Sequence, residues 1–377
     1  MTATHAAPVI DAVPAHHARR EHVPVLDGLR AVAILLVLMA HMPWADVPRW
    51  LSPYTYRIQP GYMGVDLFFV LSGFLITRIL LVDRERGRPL TGFLLKRALR
   101  IFPIYYLTIL VFLFIWPGQY LLWCALYLSN FYYAWPRPPT GPIGHTWSLA
   151  VEEHFYLIWP LIVMKLPRAA GKFAAFVGFP LLAIGSAAAL LLYLRLNPEG
   201  YARHFPGPPG QYFYLLTNFR AFSLALGACA AYGENVIRRT PATTLLFAGA
   251  AFAAFLVCTA IGLAPIGIVK PAVKMITIPL FSLSLLLVAL WLSALGKPWS
   301  FPLDNPVGRY IGKISYGLYL YHVPIFDQFH LVPVQGEENA GNMRDVPLAV
   351  AISIAAATIS YFAIERPILK LKDRIRG

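Results

Sequence analysis

The sequence is poor in charge, and poorest in acidic charge. Of its 377 residues, 13% are charged, and only 18 are Asp or Glu against 32 Lys and Arg. Soluble domains carry about 25% charged residues, and 58% of this chain is apolar, so a water-soluble globule is excluded. The net charge of +14 could fit nucleic acid, but the basic residues lie between apolar runs instead of along one folded surface. We expect the lipid bilayer as a partner, and no nucleic acid.

Cysteine is scarce, and several common catalytic motifs are missing. Cys124, Cys229 and Cys258 each lie alone in an apolar run, without CxxC spacing, which argues against a disulfide framework and a zinc site. GxxxxGKS/T, HExxH and GxSxG do not occur in the sequence. ATP-driven transport, zinc proteolysis and hydrolysis by a nucleophile-elbow serine therefore lose support. We expect no metal.

Long apolar runs make up most of the sequence. A transmembrane helix needs about 20 predominantly apolar residues to cross roughly 30 Å of hydrocarbon. Eleven candidate stretches lie at 26–42, 62–82, 99–116, 119–135, 147–166, 172–194, 212–232, 244–266, 274–296, 308–330 and 346–365. The predicted fold class is an all-α polytopic membrane protein.

The Lys/Arg distribution orients these stretches, because basic flanks stay in the cytoplasm. The bias is strongest when the N-terminus is inside and 119–135 is a re-entrant or interfacial segment, since a full crossing there would invert every later loop. We predict about ten transmembrane helices in the inner (cytoplasmic) membrane, with both termini cytoplasmic. Residues 1–23 are predicted to be a disordered cytoplasmic tail, 24–370 the membrane domain and 371–377 a short basic tail.

Arg30 and His41 are ionisable residues in the first stretch. Such side chains are costly inside a span and by default mark a pathway or a reaction site. A helical separation of eleven residues places them about 20° apart around the axis and about 16 Å apart along it. Arg30 lies near the cytoplasmic end, where it can meet phosphate, and His41 lies in the outer half, where a neutral imidazole can act as a general base. The alternative is an interfacial anchor and a hydrogen-bonded core histidine.

Three acids are predicted to lie near the depth of His41. Counting from the outer entry of each helix, Asp66 is about 6 Å deep, and Glu152 and Glu153 are about 8–9 Å deep. Each could orient the imidazole, as the acid of a catalytic triad does. Helix capping is the alternative, and we expect it for one of the two glutamates, because neighbours on a helix point about 100° apart.

Later stretches add candidate substrate-binding residues. Tyr316, Tyr319 and His322 lie at comparable or greater height, although packing in an aromatic belt would explain the tyrosines equally well. Arg220 lies near mid-membrane, too deep to reach the interface. It needs an anionic or carbonyl partner in the protein or on a ligand.

A basic cluster opens the third stretch on the cytoplasmic side, at Lys96, Arg97 and Arg100. Arg97 and Arg100 are at i and i+3 and share a helix face, and guanidinium groups suit phosphate. Positive-inside topology alone would also produce this cluster. Both interpretations stay open on the sequence.

Six segments follow one another at spacings that are specific when taken together. They are Val25–Ile34 with His41, Gly64–Ile76, Lys96–Tyr105 with RxxR, Thr146–Tyr156 with WSLxxE, Ile314–Pro324 with SYxxYxxHxP, and Ser360–Pro367 with ERP. Over about residues 24–370 the sequence resembles the acyltransferase-3 family of integral-membrane O-acyltransferases. One departure is Ser223, three residues after Arg220, where the family often has an acid.

The resemblance implies transfer of an acyl group, usually acetyl from acetyl-CoA, to a hydroxyl of a sugar or a sugar-bearing molecule. It places the family's invariant histidine on His41 and its paired basic residue on Arg30. Some members carry a fused extracytoplasmic hydrolase-like domain. Since the sequence ends about ten residues after ERP, we expect a stand-alone transferase.

The residue pattern and the resemblance lead to one mechanism. Arg97 and Arg100, together with Lys96 and Arg30, are predicted to hold the phosphates of acyl-CoA that arrives from the cytoplasm. The pantetheine arm then follows the first helix. His41 deprotonates an acceptor hydroxyl that approaches from the outer half, or first forms an acyl-histidine.

The sequence leaves alternatives open for the acceptor and for the class of protein. We predict a cell-surface or lipid-linked glycan as acceptor, with a small glycosylated natural product such as a macrolide as the alternative. A proton-coupled transporter of glycolipid or acylated substrate, with His41, Asp66, Glu152 and Arg220 as its relay, is the different-class alternative. The acyl chain length and the oligomeric state, for which a homodimer is one option, are not fixed by the sequence.

Overall fold

A computed structural model describes residues 22–42, 60–134, 141–197, 209–262, 269–332 and 342–372. Within these ranges the chain forms helices joined by turns, with no strand, which confirms the all-α prediction. Helices are expected because backbone groups in hydrocarbon must be paired within their own segment. Most of the predicted N-terminal tail at 1–23 and residues 373–377 of the predicted C-terminal tail lie outside the described residues.

The described residues form fourteen helices, seven of them in the first half of the chain. In chain order they are α1 (Pro24–Ala40), α2 (Pro60–Glu85), α3 (Leu90–Ile115), α4 (Tyr120–Ala125), α5 (Ser129–Ala134), α6 (Trp147–Lys165) and α7 (Arg168–Leu196). A short 3₁₀ turn at Gly144–Thr146 leads into α6. A π-helical segment at Ala174–Gly178 lies within α7.

The second half contributes seven more helices. They are α8 (Pro209–Leu215), α9 (Thr217–Tyr232), α10 (Glu234–Arg239), α11 (Pro241–Gly262), α12 (Val269–Leu295), α13 (Pro306–Gln328) and α14 (Met343–Leu371). Helix α14 begins in a 3₁₀ turn and contains a π-helical segment at Tyr361–Glu365.

Five of the helices in the described ranges are long and apolar enough to cross a membrane: α2, α3, α7, α12 and α14. Helices α1 and α9, with 17 and 16 residues, are shorter than the roughly 20 residues that span a bilayer without help. The chain is therefore a multi-pass membrane protein. The count of ten crossings and the cytoplasmic placement of both termini stay predictions.

Within the predicted segment 119–135, the described residues 119–134 do not form one continuous helix. The segment contains α4 and α5, each of six residues and therefore about 9 Å long, far less than the hydrocarbon thickness of about 30 Å. Between them Tyr127 has a left-handed backbone with φ of 55°, which a helix cannot accommodate. This geometry favours the re-entrant or interfacial placement over a crossing.

Helix α2 lies at the centre of the helix bundle, where it packs against α1, α6, α9 and α12. In its most apolar part 61% of the residues are buried, against 17% in α7 and 22% in α14. The peripheral helices instead expose large apolar side chains, such as Phe114, Leu181 and Ile359. The central helix is thus the natural support for polar side chains, and the outer helices face lipid.

Glycines let the central helices approach closely. A Cβ on Gly73 of α2 would lie 2.0 Å from the Leu224 carbonyl oxygen of α9, and a Cβ on Gly227 would lie 2.0 Å from the Val70 carbonyl oxygen. Small residues at such crossings are typical of membrane helix pairs, whose association depends on close van der Waals packing. Close packing at this crossing holds the polar residues of α2 and α9 in contact with each other.

Candidate active site

Three arginines from two helices converge on one cavity. Arg30 comes from α1, and Arg97 and Arg100 come from α3. Since α3 begins at Leu90, the two α3 arginines lie in its second and third turns, and the prediction that they open the helix is wrong. Lys96 is half-buried on the same helix but does not line this cavity.

We call this space the inner cavity; it has a volume of about 780 Å³ including its open mouth. Its polar lining residues are Arg30, Ser72, Arg97, Arg100, Ser148, Glu152, Glu153, Tyr156, Ser315, Tyr316 and Tyr319. A second space of about 730 Å³, the entrance cavity, begins beside His22 and Val23 at the start of α1. Both cavities share Arg30, Arg97 and Arg100 in their linings, so the arginines stand where the two cavities adjoin.

The three arginines differ in the hydrogen-bond and ion-pair partners that the protein supplies to them. Arg30 donates from Nη1 to the Asp27 carboxylate at 3.0 Å. The Arg97 guanidinium lies over the Tyr156 ring, 4.2 Å from its centroid, and its buried Nε has no hydrogen-bond partner. Among the described residues no carboxylate forms an ion pair with Arg97 or Arg100. Two half-buried cations of this kind are suited to an anionic ligand.

Glu152 contacts α2 rather than His41. Ser72 donates to one Glu152 carboxylate oxygen at 2.5 Å, and the Tyr156 hydroxyl donates to the other at 3.0 Å. Glu153 is buried and lines the same inner cavity. The expectation that these glutamates lie near the His41 imidazole differs from the structure, in which both line the inner cavity together with the three arginines.

Asp66 is bound by Arg220 in a buried ion pair. Arg220 Nη1 donates to Asp66 at 2.8 Å, and Ser223 donates to the other carboxylate oxygen. The remaining Arg220 donors reach the carbonyl oxygens of Tyr214, at 2.8 Å, and Phe213, at 3.0 Å. These carbonyls are free because the chain breaks helical geometry at Leu216, between α8 and α9.

Two predicted roles change as a result. Asp66, predicted to orient His41, is committed to Arg220 and Ser223. Arg220, predicted to contact substrate, is 4% exposed, and each of its three nitrogens donates a hydrogen bond within the protein. The absence of an acid three residues after Arg220 is explained by the structure, because Ser223 shares the same carboxylate from α2.

His41 lies at the C-terminal end of α1 in a cluster of imidazoles. Its ring centroid is 5.0 Å from that of His322 on α13, which is 5.1 Å from that of His145 in the 3₁₀ turn before α6. His41 Nδ1 is 3.1 Å from the Val37 carbonyl oxygen. A carbonyl only accepts, so Nδ1 carries the proton and Nε2 carries the lone pair. This is the tautomer that a general base at Nε2 requires.

A tyrosine and a serine lie between the inner cavity and these histidines. The Tyr319 hydroxyl is 2.5 Å from Ser148 Oγ and 2.8 Å from the His145 carbonyl oxygen. Both Tyr319 and Ser148 line the inner cavity, and the Tyr319 ring is 5.3 Å from the His145 ring. Tyr316 also lines the cavity and donates to the Ile101 carbonyl oxygen at 3.1 Å.

Several residues of this region were not selected from the sequence. Ser72, Ser148 and Tyr156 are uncharged, so the cost of burying a charge within a span does not single them out. His145 lies in a turn outside the apolar runs, next to the WSLxxE segment. Its position directly before that segment is the one sequence signal that could have identified it.

The sequence was compared with known protein families and proteins. The acyltransferase domain family Acyl_transf_3 matches residues 23–364. The peptidoglycan O-acetyltransferase OatA of Listeria monocytogenes is 30% identical over 93% of this chain, and the putative peptidoglycan O-acetyltransferase YrhL of Bacillus subtilis is 28% identical over 94%. A putative O-acetyltransferase of Staphylococcus aureus strain COL is 26% identical over 93%.

These matches cover 56%, 55% and 58% of the respective relatives, so the chain spans little more than half of their length. No solved structure matches the chain. The family match itself covers nearly all of the described residues and includes every predicted site residue.

Proposed function

Because the chain belongs to this acyltransferase family, we propose that it is a membrane-bound O-acyltransferase that moves an acetyl group from acetyl-CoA to a sugar hydroxyl of a cell-wall glycan. The observation that carries the proposal is the position of the three arginines at the junction of two cavities, with the histidine cluster beyond the far wall. The sequence similarity to peptidoglycan O-acetyltransferases supports a glycan acceptor of the peptidoglycan type.

The arginine cluster would bind the donor. CoA carries phosphates, and Arg97 and Arg100 are half-buried cations that lack ion-pair partners in the part of the chain that the structure describes. The planar guanidinium group matches phosphate oxygens through paired N–H donors. With the phosphates held between the entrance and inner cavities, the pantetheine arm extends into the inner cavity towards Tyr319. The rise from Arg30 to His41 of about 16 Å is of the order of that arm's length.

His41 would act on the acceptor. Its Nε2 lone pair takes the proton of the sugar hydroxyl while the oxygen attacks the thioester carbonyl. A C–O bond forms, the C–S bond breaks with its electron pair on sulfur, and the proton finally passes to the CoA thiolate. Proton abstraction by a positioned base contributes typically about 10²–10⁴-fold to such a step.

The first test is transfer of radiolabelled acetyl by purified protein in lipid nanodiscs. Wild-type protein, acetyl-CoA and a panel of cell-wall and lipid-linked glycans should yield labelled glycan and free CoA. His41→Ala should lower kcat by about 10²-fold or more while the protein keeps its thermal unfolding profile. Near-normal turnover by His41→Ala would contradict the mechanism, and substrate flux without CoA release by wild type would favour a transporter.

The donor site is tested by matched arginine variants. Arg97→Ala and Arg100→Ala should mainly raise KM for acetyl-CoA, because each removes a phosphate-binding cation from the cavity junction. Arg168→Ala is the control, since Arg168 is exposed and pairs with Glu85 outside both cavities. If all three variants keep the wild-type KM, the cluster serves membrane topology and not the donor.

A further inference from the structure

The imidazole of His322 lies beside that of His41. The two ring centroids are 5.0 Å apart, and the ring planes are inclined at 68°. His322 is fully buried on α13. Its position is fixed by the close crossing of α1 and α13, where a Cβ on Gly312 would lie 2.0 Å from the Asp27 carbonyl oxygen.

The backbone fixes the tautomer of His322. Its Nδ1 is 2.7 Å from the Tyr319 carbonyl oxygen and 3.2 Å from that of Leu318. Because carbonyls only accept, Nδ1 carries the proton and the lone pair lies on Nε2. His322 Nε2 is buried and has no hydrogen-bond partner, which normally costs folding free energy.

If both imidazoles are neutral with the proton on Nδ1, the absence of a hydrogen bond to His322 Nε2 is explained. An N–H···N hydrogen bond of about 2.9 Å between two imidazoles places their centroids about 5 Å apart, which is the separation between His41 and His322. In the neutral state both Nε2 atoms are acceptors, so neither can donate to the other. One added proton would supply the donor and convert two lone pairs into a charge-assisted hydrogen bond.

Among the described residues, none of the three acids predicted to balance a protonated His41 forms a hydrogen bond with it. Asp66 is held by Arg220 and Ser223, Glu152 is held by Ser72 and Tyr156, and Glu153 lines the inner cavity. Within the described residues, the side chain placed to receive a proton from His41 is therefore another imidazole. His145 lies beside His322, at 5.1 Å between centroids, and belongs to the same cluster, and both its ring nitrogens are also buried without a hydrogen-bond partner.

We propose that His322 is a positioning residue that shares, with His41, the proton removed from the acceptor hydroxyl. This inference rests on the proposed acyl transfer. The hydroxyl proton moves to His41 Nε2, is held between the two Nε2 atoms while the C–O bond forms and the C–S bond breaks, and is then released to the CoA thiolate. Unlike the carboxylate of a serine-hydrolase triad, which bonds the opposite ring nitrogen, His322 bonds the Nε2 that receives the proton and stabilises it by a charge-assisted hydrogen bond.

The decisive variant is His322→Asn, compared with wild type in the acetyl-transfer assay. The shorter amide keeps a donor towards the Tyr319 carbonyl oxygen and removes the Nε2 acceptor. We expect kcat to fall by about 10- to 100-fold with KM for acetyl-CoA changed less than about twofold. His154→Asn is the control, because His154 bonds Thr217 outside the cluster and its loss should leave kcat unchanged.

A kinetic isotope measurement separates this role from a structural one. In mixtures of H₂O and D₂O, wild-type kcat should show a curved proton inventory, because more than one proton site changes in the step. His322→Asn should show a linear one. A kcat within about twofold of wild type, or an inventory that keeps its curvature in His322→Asn, would overturn the proposal.

A measurement without turnover keeps the inference separate from the proposed function. Solid-state ¹⁵N NMR of histidine-labelled protein in bilayers should show His322 as the neutral Nδ1–H tautomer, with an Nε2 signal that shifts in His41→Ala. The opposite tautomer, or no shift, would disprove the histidine pair. If the wild-type protein fails to transfer acetyl, the proposed reaction is contradicted. The NMR spectrum would still show whether His41 and His322 form a pair.

Discussion

Among single residues, Asp66 and Arg220 form the contact that most constrains the interior. Both lie in the buried interface between α2 and α9, and the carboxylate oxygens are occupied by Arg220 and Ser223. A buried pair adds little stability over apolar neighbours, because desolvation offsets the attraction. Removing one partner is costly, since the other charge is then left without compensation.

Replacing Asp66 with Asn should therefore destabilise the protein by about 3–5 kcal/mol, because the charge of Arg220 stays buried. The double variant Asp66→Leu/Arg220→Leu should recover part of that loss, since no charge is left. Thermal unfolding in detergent measures both effects. Glu85→Gln is the control, because the Glu85–Arg168 pair is exposed and such pairs contribute about 0–1 kcal/mol. Equal melting temperatures for Asp66→Asn and Glu85→Gln would contradict the argument.

The sequence located these polar residues but did not pair them. Depth along a helix follows from counting residues, and it correctly indicated that Arg220 needs an anionic or carbonyl partner. Depth along a helix does not specify the direction in which a side chain points around the helix axis. Whether Asp66 turns towards α1 or α9 depends on how α2 is rotated among its four neighbours, and no single segment encodes that rotation. For the same reason the proximity of His41, His145 and His322 could not be read from their spacing.

At the scale of elements, the crossing of α2 and α9 depends on glycine. Gly227→Ala should destabilise the protein by about 1–3 kcal/mol, the usual cost of overpacking, because its Cβ would lie 2.0 Å from the Val70 carbonyl oxygen. Gly185→Ala on α7 is the matched control, since a Cβ there meets nothing within 4 Å. Thermal unfolding of the two variants side by side gives the difference. A Gly227→Ala protein at least as stable as Gly185→Ala would show that the helices separate at little cost.

Most element positions were predictable to within a few residues, because apolar runs in a membrane protein have few alternatives to helix. The exception is α3, which begins at Leu90, nine residues before the predicted stretch at 99–116. Each of the eleven predicted stretches overlaps helical structure. The breaks were harder to predict: 119–135 is divided at Tyr127, and 212–232 is divided at Leu216. The sequence stays apolar at both breaks, so composition does not reveal them. They depend on contacts with other helices, as the Arg220 hydrogen bonds to the Phe213 and Tyr214 carbonyl oxygens illustrate.

At the scale of the whole molecule, the short helices α4 and α5 decide the topology. If they do not cross, Gln119 before them and Pro142 after them face the same side. With Cys124, Cys229 and Cys258 replaced by Ala, a single cysteine at Gln119 or at Pro142 should react with an impermeant maleimide on intact cells. A single cysteine at Arg86, in the turn between α2 and α3, should react only after permeabilisation. Labelling of Gln119→Cys and Pro142→Cys from opposite sides would show that the segment crosses.

The wall formed by Tyr319 and Ser148 has an electrical consequence. In the predicted topology, water and the arginines bring the cytoplasmic potential up to this wall, so much of the transmembrane voltage falls across a thin partition. Each elementary charge that moved through it would involve about 2.3 kcal/mol per 100 mV. In the proposed reaction the acetyl group is exchanged for the hydroxyl proton that passes to the thiolate, so no net charge crosses, and the CoA phosphates would stay at the arginines. Transfer across the wall would thus proceed without electrical work and independently of how strongly the membrane is energised.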